Sequence, residues 1–100
     1  MFEIKAEQPV AGETKRLIIK TSDKNKRPLD PSDIKVELKK PDGSTDTKTQ
    51  TDMDKLADGE WELYYTFDQA GTWTVKVTVT GWDGEKEIEM DRITVQSSTL

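Results

Sequence analysis

The sequence predicts an all-β fold, a seven-stranded antiparallel β-sandwich, and three observations carry that expectation. Apolar residues recur with period two along most of the chain, which sends alternate side chains to opposite faces of an extended strand. Turn-forming residues recur roughly every 8 to 12 positions, the spacing of short strands in sandwiches. An apolar stripe three helical turns long occurs nowhere. An antiparallel sheet with one apolar side must cover that side, and a second sheet is the available cover.

The elements follow in order. Phe2 and Ile4 mark a first short strand, and residues 13 to 21, around Leu17 and Ile19, a second. Asp33-Ile34-Lys35-Val36-Glu37-Leu38-Lys39 alternates cleanly and ends at Pro41-Asp42-Gly43, whose proline presets a turn. Residues 44 to 51 are rich in Thr but hold nothing apolar to bury, so they read as an exposed edge strand or a loop guarded by its charges. Asp52 to Ala57 makes at most a single helical turn. Trp61, Leu63, Tyr65 and Phe67 share one face of the next strand, and Trp73, Val75, Val77 and Val79 share one face of the following strand. Between them Asp68-Gln69-Ala70-Gly71 supplies the turn, with Gly71 free to take a positive φ. In the last strand Ile88 and Met90 are even and Ile93 and Val95 odd, which predicts a bulge near Asp91-Arg92.

Length and composition bound the rest. One hundred residues make a single domain, 1–100. The chain is 32% hydrophobic and 35% charged, with a mean hydropathy of −0.81, so patterning rather than bulk hydrophobicity must build the core. Cysteine and histidine are both absent. That removes disulfide frameworks, thiol chemistry and every nucleophile–base pair that depends on imidazole. A net charge of −5 and a pI near 4.7 argue against nucleic acid or an anionic membrane as partner. The longest aliphatic run, Leu17-Ile18-Ile19, falls far short of the roughly 20 residues that cross a bilayer. The start carries no secretion signal, and the expectation is a short complete gene product, although an excised module with an added Met1 reads the same.

Three stretches also carry a resemblance. Val36-x-Leu38-x-x-Pro41-Asp42-Gly43, then Asp58-Gly59-x-Trp61-x-x-x-Tyr65, then Ala70-Gly71-Thr72-Trp73-Thr74-Val75-x-Val77 resemble the filamin-type and the bacterial and phage immunoglobulin-like domains. The resemblance spans residues 13 to 95 and implies an immunoglobulin-like sandwich. It departs from antibody domains, which have a cysteine pair and a tryptophan on the third strand. Pro28-Leu29-Asp30-Pro31-Ser32 and the Ala-Gly-Thr-Trp corner are similar to stand-alone phage proteins. That likeness implies a virion accessory protein, a capsid decoration or a head or tail component, located in the virion and binding a shell or tail protein. The alternative is an accessory adhesion module of a cell-surface or secreted protein, binding a protein or glycan.

Catalysis is not expected, nor is a cofactor. The pairs Asp52/Asp54 and Glu60/Glu62 lack the deep cleft a glycosidase needs, and Gly81-Trp82-Asp83-Gly84 precedes no helix and so forms no phosphate loop. Asp52, Asp54 and Asp58 suggest a calcium loop, but Leu56 and Ala57 stand where its third ligand and glycine belong, so no metal is expected. If the strands run up and down, loops 22 to 32, 52 to 59 and 81 to 84 share one end. The partner-binding residues expected there are Lys24, Lys26, Arg27, Trp82 and Asp83, an aromatic anchor ringed by charge. The competing reading makes Trp82 a lid on the core and the charges merely solvated.

Overall fold

The computed structural model describes the backbone of residues 2–4 together with residues 9–22, 25, 27–82 and 84–97. The strands are β1 (Phe2–Ile4), β2 (Glu13–Lys20), β3 (Asp33–Lys39), β4 (Thr45–Thr49), β5 (Asp54–Ala57), β6 (Glu60–Phe67), β7 (Gly71–Thr80) and β8 (Lys86–Val95). One sheet has the order β1-β2-β6-β5 and the other β4-β3-β7-β8, and every pairing between these strands is antiparallel. The seven expected strands are present, and the sandwich is all-β as predicted.

Period two explains what is buried. In the first sheet Leu17 lies opposite Leu63 and Ile19 opposite Trp61; in the second Val36 lies opposite Val77 and Leu38 opposite Val75. These residues turn their apolar faces to one another and join one core. At its centre Trp73, fully buried, meets Tyr65 and Phe67 of the opposite sheet edge-on, with ring centroids 5.9 and 5.2 Å away. The edge of one ring thus faces the electron-rich face of another, the favoured aromatic geometry. The Trp73 indole N–H is not left orphaned, because it donates to the Gln69 carbonyl at 2.9 Å.

Two local expectations need correction. The pairing of β8 with β7 runs without a shift from Gly71↔Val95 to Thr80↔Lys86, so there is no bulge at Asp91-Arg92. Ile88 and Met90 instead share the outer face with their partners Thr78 and Lys76, and stand 56% and 64% exposed. A bulge would leave a residue unpaired and break the ladder; the uninterrupted pairing is kept and two apolar side chains face solvent. The second correction is at residues 52–57. A 3-10 turn covers Gln50–Asp52, and Asp54–Ala57 pairs with β6 as an eighth, short strand, with a register shift between Lys55 and Ala57.

The end of the sandwich away from Trp82 is tied by side chains. Asp42 accepts from the Ser44 hydroxyl at 2.6 Å, the Ser44 N–H at 2.8 Å and the Gln69 amide at 2.8 Å. Those bonds, the Ser44 hydroxyl foremost, pull its carboxyl from 3.8 to about 2. A carboxyl depressed on folding adds stability above its unfolded value near 3.9, and that contribution fades as pH falls towards 2. Asp42→Asn is therefore expected to flatten the decline of the urea midpoint between about pH 4 and pH 2. An unchanged slope would mean that this turn does not couple to folding.

Candidate functional site

The other end of the sandwich holds the more developed concavity. Its framework begins at Thr21, the buried residue that follows β2. The Thr21 N–H donates to the Gly59 carbonyl at 2.7 Å, its hydroxyl donates to the Leu29 carbonyl at 2.6 Å, and its own carbonyl accepts the Leu29 N–H at 3.2 Å. Ser22 and Pro28 form an isolated antiparallel bridge beside it, so the loop is pinched at its base.

Asp30 locks this loop to the β5–β6 turn. Its carboxylate accepts the Gly59 N–H at 2.9 Å and the Lys55 ammonium, and Lys55 also pairs with Asp58 at 3.1 Å. The Gly59 bond, followed by Lys55, holds the Asp30 carboxyl below its ordinary range, and Asp30 in turn raises the Lys55 ammonium. The third loop is held by Ser32, whose hydroxyl lies 3.0 Å from the Thr80 carbonyl and 3.1 Å from that of Gly81. Gly84 N–H then donates to the Gly81 carbonyl at 3.0 Å, closing a hairpin. Trp82 projects from that hairpin, and its indole N–H donates to the Asp30 carbonyl at 2.9 Å.

Between these loops lies a cleft of about 480 Å³. Leu29, Pro31, Val79 and Trp82 give it apolar walls, while Thr21, Ser22, Asp30, Glu85 and Glu87 supply polar and acidic groups. The volume is within the usual span for ligand sites, roughly 300–1,000 Å³. Trp82 is 74% exposed, so it is not a lid on the core. A smaller depression of about 330 Å³ lies by Tyr64 and Lys40; there the Tyr65 hydroxyl donates to Asp46 at 3.0 Å, and burial raises the phenol pKa.

The loops expected to share one end do meet. Of the residues expected to bind a partner, Trp82 lines the cleft and Arg27 is exposed beside the Ser22–Pro28 bridge. Lys24, Lys26 and Asp83 lie outside the described residues. Sequence reasoning missed Leu29, Asp30, Pro31, Val79, Glu85 and Glu87 as lining residues. The signal was in Pro28-Leu29-Asp30-Pro31, where an apolar residue and an acid sit among prolines in a loop. Asp52, Asp54 and Asp58 do not converge: Asp52 accepts from the Thr49 N–H, Asp58 pairs with Lys55, and among the described residues no three acidic groups gather around one point.

The model of one family, described as YtkA-like, matches residues 1–78. The chain belongs to the YtkA-like family. No curated protein matches it. Among solved structures, CopC from Methylosinus trichosporium OB3b superposes with a TM-score of 0.65 at 16% identity, over 100% of this chain and 98% of that one. A DUF4785 family protein from Legionella pneumophila gives 0.67 at 17% identity, over 96% of this chain and 27% of that one. The chitinase ChiW from Paenibacillus sp., a cell-surface-expressed multi-modular enzyme, gives 0.66 at 14% identity, over 95% of this chain and 8% of that one. At these identities the likeness is one of fold. The YtkA-like sandwich thus spans about a quarter of one of these neighbours, under a tenth of another and nearly the whole of a third. The expected immunoglobulin-like layout holds as architecture, whereas the family is YtkA-like and the phage branch gains no support from these matches.

Proposed function

We propose that this YtkA-like chain is a non-catalytic binding module of a cell-surface or secreted protein, holding a protein or glycan partner at the cleft beside Trp82. The observation that carries the proposal is the exposed Trp82 indole, pinned by its bond to Asp30 above an apolar-walled cleft. A ring already fixed in place loses little freedom on binding, and a tryptophan at a site of this kind is a common energetic anchor. The contact surface includes Trp82 and the exposed Arg27, which lies on the loop that carries Asp30. Asp30 is engaged with Gly59 and Lys55, and its carboxyl is held below the ordinary range. It therefore suits a structural brace better than a proton-transfer group poised near neutrality. The cell-surface setting draws support from the likeness to ChiW, and the virion setting from none of the matches.

Calorimetric screening of soluble oligosaccharides and peptides against the purified chain tests this. A binder is expected whose affinity falls about thirtyfold in Trp82→Ala, the loss of a roughly 2 kcal/mol anchor, with Tm unchanged. Binding that survives Trp82→Ala and disappears in Gln69→Ala would assign the opposite end. Capture by phage particles alone would return the chain to the virion reading.

A further inference from the structure

A sheet edge lies open on the side of β6 away from β2, and its residues are not among those that line the cleft beside Trp82. The carbonyls of Gly59, just before β6, and of Phe67, its last residue, both turn towards β2, where they accept the Thr21 and Gly12 N–H groups at 2.7 Å each. Main-chain groups alternate in direction along a strand, so the N–H and C=O of Tyr64 and Thr66 point the other way. β5 occupies that side only from Glu60 to Glu62. Beyond Glu62, among the described residues, no strand pairs with it, and neither Tyr64 nor Thr66 has another main-chain partner there. The open slot runs from Leu63 to Phe67, about 17 Å at roughly 3.4 Å per residue.

The depression of about 330 Å³ lies against this slot, with Tyr64, Tyr65 and Thr66 on one side and Asp46 and Lys48 of β4 on the other. Asp46 and Lys48 pair with Leu38 and Val36, both buried in the core, so their side chains share the inward face of that sheet. The other charges of the depression are matched: Lys40 pairs with Asp68 at 3.0 Å, and Asp46 accepts the Tyr65 hydroxyl at 3.0 Å. Lys48, half-buried, has no ion-pair or hydrogen-bond partner among the described residues. A strand added in the slot would turn its residues opposite Leu63 and Tyr65 into the depression, and its residue opposite Tyr64 onto the outer face, beside a ring that is 58% exposed. An acid at the first kind of position meets Lys48, and a β-branched residue at the second packs on Tyr64. The β6 edge of a second copy would bring Leu63 and Tyr65 to the depression and leave Lys48 without an acid.

We propose that the β6 edge at Tyr64 and Thr66 accepts, as an added strand, an extended polypeptide segment alternating Asp or Glu with β-branched residues. An acetylated and amidated hexapeptide alternating glutamate and valine, added to the full chain, is the probe. Amide hydrogen exchange is expected to slow at Tyr64 and Thr66 and to stay unchanged at Leu63, Tyr65 and Phe67, whose N–H groups already face β2, with affinity falling as salt rises. The lysine–valine counterpart is expected to bind about fivefold more weakly, as a like-charge pair at Lys48 replaces a favourable one. Lys48→Gln should bring the two peptides within about twofold of each other while Tm holds. Unslowed exchange at Tyr64 and Thr66, an undiminished preference in Lys48→Gln, or protection confined to the Trp82 hairpin overturns the proposal. A concentration-dependent dimer that protects the same two amides without peptide also overturns it, since a second copy would then hold the edge.

Discussion

Trp73→Ala is expected to cost about 3–5 kcal/mol of folding stability, the range for removing a large aromatic side chain from a packed core. Trp73 is fully buried, its ring touches Tyr65 and Phe67 of the opposite sheet, and its N–H holds the Gln69 carbonyl. Alanine would leave a cavity at the point where the two sheets meet and would strand that carbonyl. Since domains hold only about 5–15 kcal/mol in total, the variant is expected to be partly unfolded at ambient temperature or close to it. Tm should fall by at least about 12 °C, at roughly 4–8 °C per kcal/mol for a domain this small. Urea denaturation followed by circular dichroism measures this directly. Trp82→Ala is the matched control, a tryptophan removed from an exposed hairpin, and its expected change is within about 0.5 kcal/mol. Equal stability of the two variants would contradict the core described above.

How much of this was legible beforehand depended on whether the information was periodic or spatial. The faces of β6 and β7 were readable because each strand places its apolar residues on one parity, and only one assignment buries Trp61 to Phe67 against Trp73 to Val79. The same logic misled at β8. Even-numbered Ile88 and Met90 beside odd-numbered Ile93 and Val95 predict a bulge, whereas the unbroken ladder with β7 places Ile88 and Met90 on the outer face. Apolar identity alone does not distinguish a buried face from an overhanging edge. Strand β5 was hidden for another reason: Asp54-Lys55-Leu56-Ala57 is exposed throughout, so its pairing with β6 left no apolar pattern. In the cleft, Trp82 stood out by its type and position, but Asp30 works through bonds to Gly59 and Lys55, 29 and 25 residues away in sequence. No local pattern encodes such a partner.

Gly59→Ala is the second large effect, and it bears on the cleft itself. Gly59 has a φ of +72°, and a Cβ built there would lie 2.4 Å from the Thr21 carbonyl oxygen, 2.9 Å from the Leu29 nitrogen and 3.0 Å from the Pro28 Cα. All three are backbone atoms, so no side-chain rotation relieves the overlap. The left-handed conformation alone costs a non-glycine residue roughly 1–2 kcal/mol. Pushing the Thr21–Leu29 segment away would add the loss of the Thr21–Gly59 and Gly59–Asp30 bonds, each worth about 0.5–1.5 kcal/mol. A total of about 3 kcal/mol is therefore expected. Gly43→Ala separates the two causes, because Gly43 also has a positive φ, +94°, but nothing lies within 4 Å of its built Cβ. That variant should lose only the conformational part, about 1–2 kcal/mol. If urea midpoints place the two variants together, the loops do not approach as closely as described. If Gly59→Ala is the weaker by the expected margin, the surviving folded protein should also bind a Trp82-dependent ligand poorly, because the wall carrying Leu29 and Asp30 rests on that turn.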